Sequence, residues 1–387
     1  MPFEIDASFV RDTLTGLVGI NSINPILDPS APGEREAAEF VASRLKPLGC
    51  ETRFIEPEPN RVSVVATRAG KGGGRSLMLN AHLDTVGVEG MHDPFSGAER
   101  NGRIYGRGAY DMKGAMAACV GAVKALEDAD VQLAGDLVVA GVADEEYSSV
   151  GTTSVLETVT TDGAIVTEPT HLRVCLAHKG YIWLRVKTVG RAAHGSRFEE
   201  GIDANLRMGR VLHELEKLEQ RLRTVEPHPL VGPPSLHAAI LKGGSGISTY
   251  AAECTLEIER RTIPGETVER VEKQVAYIVE RLCERDPSLQ CTVETFFARE
   301  PFEVRPDTRI VRALETAAGR VMGAAPERVG DTPWMDAALL SAAGVETVVF
   351  GPSGAGAHSA EEWVDVASVQ KLAAVLAEAA VEYCGRA

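Results

Sequence analysis

The 387-residue chain is predicted to form a mixed α/β domain interrupted by a smaller α+β domain. Three observations support this fold class. The first third alternates amphipathic helical patterns with short apolar strands, this pattern changes after about Leu176, and it returns from Thr308. A chain of this length also exceeds the size at which one hydrophobic core usually stops growing. We therefore predict an outer domain at 1–178 and 293–387, with an inserted domain at 179–292.

The first outer segment begins with amphipathic helices and continues with short strands rich in valine and leucine. The predicted helices cover residues 8–20, 34–48 and 111–127, and the predicted strands cover residues 61–67, 76–80, 136–143 and 163–167. The glycine-rich residues 71–75 predict a hairpin loop between the first two strands. This order of elements predicts a mixed sheet with helices on both faces.

The inserted segment has a different pattern. Residues 181–189 and 252–260 alternate apolar and polar side chains, which predicts strands with one buried face. Residues 202–222 and 266–285 are long, charged amphipathic helices that can cover that face. The second outer segment ends in a predicted helix at 366–383.

Composition narrows the function class. The formal net charge of −15 argues against nucleic-acid binding, because a phosphate backbone needs a basic surface. The N-terminus has no basic and apolar leader pattern, and no run of eighteen apolar residues occurs, so we expect neither secretion nor membrane insertion. Seven cysteines without a Cys-x-x-Cys pair predict reduced thiols and a cytoplasmic location.

Histidine and carboxylate residues follow several predicted strands and are candidates for a metal site. His82 and Asp84 come directly after the strand at 76–80, and a histidine held by a neighbouring carboxylate is a common metal ligand. The other candidates also lie in loops, where α/β sheets usually place their sites; they are Asp111, Glu145, Glu146, Glu168 and His358. Histidines combined with carboxylates suit zinc, cobalt or manganese.

A two-metal hydrolytic site requires residues of these types in about this number. One carboxylate must bridge two ions about 3.5 Å apart, and each ion needs further ligands. Another carboxylate must remain available as a general base. Adjacent residues of an extended chain point in opposite directions, so Glu145 and Glu146 can divide the base and ligand roles.

The chain resembles the acetylornithine deacetylase, succinyl-diaminopimelate desuccinylase and glutamate carboxypeptidase family of dinuclear zinc hydrolases. The matching motifs lie in the outer segments and in the inserted one. They are His82-Leu83-Asp84-Thr85-Val86, Gly106-Arg107-Gly108, Asp111-Met112-Lys113-Gly114, Asp144-Glu145-Glu146 with Gly151, Glu168-Pro169, Gly356-Ala357-His358-Ser359 with Glu361 or Glu362, Gly190-Arg191-Ala192-Ala193-His194-Gly195-Ser196, Gly201-Ile202-Asp203-Ala204-Asn205 and Arg260-Arg261-Thr262-Ile263-Pro264-Gly265-Glu266. The resemblance implies a zinc-exopeptidase-like catalytic domain with an inserted lid and dimerisation domain.

The resemblance also implies a ligand set for two divalent ions, with zinc expected and cobalt or manganese as alternatives. Asp111 is expected to bridge the two ions. His82 and Glu168 would bind one ion, and Glu146 and His358 would bind the other.

Two further roles and one backbone feature follow from the same resemblance. Asp84 would orient His82, and Glu145 would act as the general base that takes a proton from the attacking water. The peptide bond between Asp111 and Met112 is expected to be cis.

In the inserted domain, the resemblance implies residues that act on the substrate. His194 would reach the active site of the partner subunit in a homodimer and polarise the scissile carbonyl. Arg261 would bind a substrate carboxylate, and Ser248 would contact the substrate at a position where many relatives have asparagine. Trp334 is either a wall of the substrate pocket or a packing residue.

The expected reaction is metal-dependent hydrolysis of the amide bond of an N-acyl amino acid with a free carboxylate, as in acetylornithine deacetylases. Alternatives with the same site are a desuccinylase and an exopeptidase of the glutamate carboxypeptidase or dipeptidase type. A catalytically silent binding protein is the alternative outside the enzymes, and it would normally lack a ligand or the base, none of which is lost here.

Overall fold

A computed structural model describes residues 2–387. The helices are α1 (Ala7–Val18), α2 (Arg35–Leu45), α3 (Gly114–Asp128), α4 (Val150–Leu156), α5 (Ala204–Leu222), α6 (Val268–Arg285), α7 (Arg309–Met322), α8 (Ala337–Ala342) and α9 (Val366–Cys384). The strands are β1 (Glu51–Glu58), β2 (Arg61–Arg68), β3 (Leu77–His82), β4 (Ala98–Arg100), β5 (Arg103–Tyr105), β6 (Leu137–Val142), β7 (Gly163–Val166), β8 (Val174–His178), β9 (Gly180–Val189), β10 (Ser235–Gly243), β11 (Glu253–Thr262), β12 (Gln290–Arg299), β13 (Phe302–Glu303), β14 (Arg328–Asp331), β15 (Glu346–Val349), β16 (Gly354–Ala355) and β17 (Trp363–Asp365).

The chain divides into two compact units, and one predicted boundary moves. The outer unit contains residues 2–176, 304–329 and 335–387, and the inserted unit contains Ala177–Glu303 and Gly330–Trp334. The boundary predicted between 292 and 293 lies inside β12, which pairs antiparallel with β9 from Gln290 to Arg299. Because a strand hydrogen-bonded along its length belongs with its sheet, the inserted unit continues past β12.

The outer unit has a mixed central sheet flanked by helices, as predicted. Its strands follow the order β1-β2-β6-β3-β7-β15-β8. The pairs β6-β3, β3-β7 and β7-β15 are parallel, whereas β1-β2 and β2-β6 are antiparallel. The hairpin predicted at 71–75 is wrong, because β6 lies between β2 and β3 in the sheet.

Helices of the outer unit bury the apolar faces that the sequence pattern indicated. α3 packs against α1 and α9, and α9 packs against α7. Many of the buried side chains of α3 are small, including the alanines at 115, 117, 118, 122 and 125. Over residues 2–387, no helix combines the length and apolarity that a membrane span requires.

The inserted unit is an antiparallel sheet with helices on one face. Its strand order is β10-β11-β9-β12, and both α5 and α6 pack on this sheet. Alternate residues of β9, including Ile182, Leu184 and Val186, enter a core with the apolar sides of both helices. This arrangement confirms the predicted α+β module, because period-two alternation marks strands with one buried face.

Candidate active site

The candidate site lies at one edge of the outer sheet, where neighbouring parallel strands end. His82 is the last residue of β3, Glu145 and Glu146 follow β6, and Glu168 follows β7. These three strands are adjacent and parallel, so their carboxyl ends meet at the same sheet edge. His358 follows β15, which is parallel to β7. The location agrees with the general rule that α/β sheets carry their sites at the carboxyl ends of strands.

Asp111 lies between two histidines from distant parts of the chain. Its Oδ1 is 3.0 Å from Nε2 of His82, and its Oδ2 is 3.5 Å from Nε2 of His358. The Asp111-Met112 peptide bond is cis, as the family resemblance implied. A carboxylate with one oxygen toward each imidazole has the geometry required of a ligand shared by two ions.

The remaining carboxylates complete one cluster around these histidines. Glu168 Oε1 is 3.7 Å from Nε2 of His82, and both carboxylate oxygens of Glu146 lie 3.0–3.1 Å from Nε2 of His358. Ligand atoms of His82, Glu145 and Glu168 lie within 4.8 Å of one another, as do those of His82, Asp111 and Glu146. The structure therefore brings together all five predicted metal ligands and Glu145.

The electrostatics of this cluster fit a site for divalent cations. Burial raises the pKa of Glu145 well above its usual range, and the neighbouring Glu168 carboxylate raises it further. Burial also raises the pKa of Glu146, with the charge of Asp111 adding to the effect. Buried carboxylates at this spacing repel one another, and a bound cation would relieve that repulsion.

The pKa values of the two histidines are raised as well, which for an imidazole favours the charged form. Hydrogen bonds with Asp111 and Glu146 raise the pKa of His358 to about 10. Burial alone would lower the pKa of His82, but Asp111 and Glu168 hold it well above its usual value. Because an imidazole must be neutral to bind a metal, metal binding at these histidines would compete with protons.

Asp84 contacts His82 differently from the predicted arrangement. Nδ1 of His82 is 2.9 Å from the backbone carbonyl oxygen of Asp84 and 3.6 Å from its carboxylate. The carboxylate instead accepts hydrogen bonds from the backbone N–H groups of Glu145 and Glu146, at 3.1 and 3.2 Å. Two N–H donors attract the charged oxygens, while the carbonyl oxygen can orient the imidazole.

Residues behind Asp84 form a buried polar network that the sequence did not reveal. Asn24 Nδ2 donates to Asp84 and to Asp144, both at 2.9 Å. Arg61 donates to Asp144 at 2.6 Å and to Asn24 at 2.7 Å, and it also lies 2.7 Å from Glu34. The available signal was an arginine at the start of a buried, valine-rich strand, because a buried charge requires partners.

The three predicted residues of the inserted unit lie in two places: His194 and Ser248 are in connections outside the strands, and Arg261 is on β11. Nδ1 of His194 is 2.8 Å from the Ser196 hydroxyl oxygen, and the next residue, Gly195, donates to the carbonyl oxygen of Ser248 at 2.7 Å. Arg261, on β11, pairs with Glu259 at 2.8 Å. The structure therefore places the segments of His194 and Ser248 side by side, and it gives Arg261 a partner in its own strand.

Trp334 packs within the inserted unit. Its side chain is 9% exposed, and its Nε1 donates to the carbonyl oxygen of Glu300 at 3.1 Å. Its ring meets those of His178 and Tyr181 edge-on, with centroids 6.2 and 6.3 Å away. These contacts favour the packing role over the substrate-wall role, because a buried indole usually satisfies its N–H in this way.

Comparison with known proteins agrees with the fold and the site. Residues 78–382 match the family model described as Peptidase family M20/M25/M40. An acetylornithine deacetylase from Myxococcus xanthus is 32% identical over 97% of this chain and 98% of the relative. A formyl-aminopyrimidine deformylase from Halalkalibacterium halodurans is 28% identical over 97% of this chain and 95% of the relative.

Solved structures show the same fold at low sequence identity. An aminopeptidase from Bacillus cereus superposes with a TM-score of 0.79 at 17% identity, covering 98% of this chain and 99% of the other. A Bacillus subtilis protein described as a dinuclear metal-binding peptidase superposes with a TM-score of 0.75 at 15% identity, covering 97% of each chain. Because the family match covers most of the sequence and the relatives align over nearly their whole length, the chain belongs to the M20/M25/M40 peptidase family of hydrolases.

Proposed function

We propose that this chain is a metal-dependent amidohydrolase that removes the acyl group from an N-acyl amino acid. The observation that carries the proposal is the position of Asp111 between His82 and His358, with three glutamates in the same buried cluster. The relative at 32% identity is an acetylornithine deacetylase, which supports an acylated amino acid as the substrate class.

The residues of the cluster would hold two divalent cations, with zinc as the first choice and cobalt or manganese as alternatives. We assign Asp111 as the shared ligand, His82 and Glu168 to one ion, and Glu146 and His358 to the other. When bound, the two ions supply Lewis acidity that polarises a carbonyl oxygen and favours deprotonation of water.

Glu145 is the proposed general base. Its carboxylate lies in the same cluster as His82 and Glu168. Burial, and next the charge of Glu168, raise its pKa, and a raised pKa makes a carboxylate a stronger proton acceptor. In the proposed reaction, its carboxylate takes a proton from the attacking water. The water oxygen bonds to the acyl carbon, Glu145 returns this proton to the amide nitrogen, and the C–N bond breaks to give a carboxylic acid and an amine. Transfer of the remaining acid proton to the amine gives the carboxylate and ammonium products.

We propose that the free carboxylate of the substrate binds in the inserted unit. Arg261 is the proposed partner, because a planar guanidinium matches a carboxylate in two parallel hydrogen bonds. Ser248 lies beside the His194 segment and is proposed to contact the substrate. In the resting structure Arg261 already pairs with Glu259, so substrate binding would exchange one carboxylate partner for another.

A substrate panel tests the proposed function. Metal-free protein would be loaded with zinc, cobalt or manganese and assayed with N-acetyl, N-succinyl and N-formyl amino acids and with dipeptides. We expect the highest kcat/KM with N-acetyl amino acids and a large loss when the substrate carboxylate is amidated. Faster hydrolysis of dipeptides would assign the chain to the peptidases, and a fully loaded protein that cleaves none of these substrates would indicate a binding protein.

We also propose a homodimer formed through the inserted unit, in which His194 polarises the scissile carbonyl in the partner's site. Inactive His194→Ala and Glu145→Ala proteins should then complement each other. Random subunit exchange should restore roughly a quarter of wild-type activity, because about half of the dimers are mixed and each contains one complete site. The exchange itself would be followed with differently tagged subunits.

Complementation separates action in the partner's site from action within one chain. If His194 served its own chain's site, each mixed dimer would contain two defective sites. Persistent inactivity despite demonstrated exchange would therefore contradict the proposal. Mixing His194→Ala with wild-type subunits provides the control for any effect of exchange on activity.

A further inference from the structure

We propose that Glu362 and Arg107 are positioning residues that hold Asp111 and His358 in place for cation binding, an inference that rests on the proposed metal site. The family motif left Glu361 and Glu362 as alternatives. The structure distinguishes them, because Glu362 is 1% exposed and faces the Asp111 segment, whereas Glu361 is exposed to solvent.

The Glu362 carboxylate accepts hydrogen bonds from backbone N–H groups of the segment that carries Asp111. Its Oε1 accepts hydrogen bonds from the N–H groups of Tyr110 at 2.9 Å and Asp111 at 3.0 Å. Its Oε2 accepts a third from the N–H of Gly108 at 3.1 Å. Charge-assisted hydrogen bonds to closely spaced N–H groups fix the local backbone, and thereby the direction in which the Asp111 side chain leaves it.

Gly108 shows how closely this segment is constrained. It adopts a φ of +78°, which favours glycine, and an added Cβ would lie 2.7 Å from the Thr85 methyl carbon. The segment can therefore approach the loop after β3 this closely only because residue 108 has no side chain.

Arg107 ties this segment to the loop of His358. Its guanidinium donates to Glu362 Oε2 at 2.7 Å and to the carbonyl oxygen of Ser359 at 3.1 Å. A third hydrogen bond reaches the carbonyl oxygen of Gly87 at 2.8 Å. Ser359 directly follows His358, so the buried guanidinium of Arg107 connects the Asp111 segment to the loop that carries His358.

Strand pairing brings the two segments into this register. β5 precedes the Asp111 segment and pairs antiparallel with β17, so that Tyr105 lies opposite Trp363. Glu362 thus lies next to a fixed strand, and its side chain reaches the segment directly after the partner strand. Glu362 and Arg107 thus link two proposed ligands, Asp111 and His358, that are far apart in sequence. Hydrogen-bond partners outside the ligand shell commonly orient metal ligands in this way.

The test compares Glu362→Gln with the adjacent Glu361→Gln as a matched control. Glu362→Gln keeps the size of the side chain. In wild type both carboxylate oxygens accept from N–H donors, whereas in the variant an NH₂ group replaces one of these oxygens and faces N–H donors that it cannot accept from. Zinc and cobalt binding to chelator-treated protein would be measured by calorimetry. We expect Glu362→Gln to weaken the binding of at least one ion by about 10–100-fold, and Glu361→Gln to match wild type.

Arg107→Lys provides a second variant in case Glu362→Gln does not fold. Lysine keeps the positive charge beside Glu362 but cannot span the three acceptors of the guanidinium. We expect weaker cation binding and recovery of kcat at high metal concentration, a rescue that a purely structural defect would not show. Wild-type affinity in every variant that folds would overturn the positioning role, whereas a wild-type protein that binds no divalent cation would overturn the proposed function as well.

Discussion

Replacing Glu145 with glutamine is expected to abolish turnover while two metal ions per chain remain bound. Loss of a general base usually lowers the rate by about 10²–10⁴-fold. Glutamine has nearly the same size as glutamate, and the backbone N–H of residue 145 still donates to Asp84 in Glu145→Gln, so the fold should be retained. Metal content would be measured by mass spectrometry after dialysis, and kcat would be measured on the best substrate of the panel.

Glu146→Gln is the matched comparison, because it changes the neighbouring residue in the same loop. It should weaken metal binding, since both of its carboxylate oxygens face Nε2 of His358. The Glu145 carboxylate also clusters with His82 and Glu168, so the two variants together test how the roles are divided. Loss of metal from Glu145→Gln, with retention in Glu146→Gln, would show that the two roles are reversed.

Replacing Asp111 with alanine is expected to remove the shared ligand and with it most of the bound metal. Metal content after dialysis should fall from about two ions per chain to fewer than about one, because neither histidine then has the bridging carboxylate. Hydrolysis should fall below detection. A ligand that binds the folded state at about 100 times its Kd adds roughly 2.7 kcal/mol of stability, so saturating zinc should raise the Tm of wild type much more than that of Asp111→Ala.

Asp12→Ala is a suitable control for this experiment, since Asp12 is exposed on α1. It should retain two ions per chain and the full increase in Tm with zinc. Two bound ions in Asp111→Ala would contradict the shared-ligand assignment. Far-ultraviolet circular dichroism of the metal-free proteins would show whether any loss of metal reflects loss of the fold.

Much of the fold was accessible from local patterns. Period-two alternation located β9, and helical spacing located α5 and α6, because burial on one face imposes these periods on any sequence. The order of strands was less accessible. The glycine-rich loop at 71–75 resembles a hairpin turn, but β3 pairs in parallel with β6 and β7. Parallel pairing depends on contacts between segments distant in sequence, so a local pattern does not reveal it.

The candidate site shows the same division between local and distant information. His82, Asp111 and Glu168 could be proposed as neighbours because their motifs resemble those of a family in which these positions share one metal site. The contacts of Asn24 with Asp84 and Asp144 could not, since neither residue type nor spacing marks an asparagine as a buried partner. The choice between Glu361 and Glu362 likewise required knowing which carboxylate is buried.

The sequence by itself determined the family and the proposed chemical type of the site, with the residues proposed to bind metal, because these depend on residue types in short motifs. The tertiary structure decided that Asp111 has one oxygen toward each histidine, that the Asp84 carboxylate holds the Glu145–Glu146 segment, and that Glu362 and Arg107 link the loops of Asp111 and His358. These facts depend on which distant segments meet when the core is packed, and on which polar groups burial then forces to find partners.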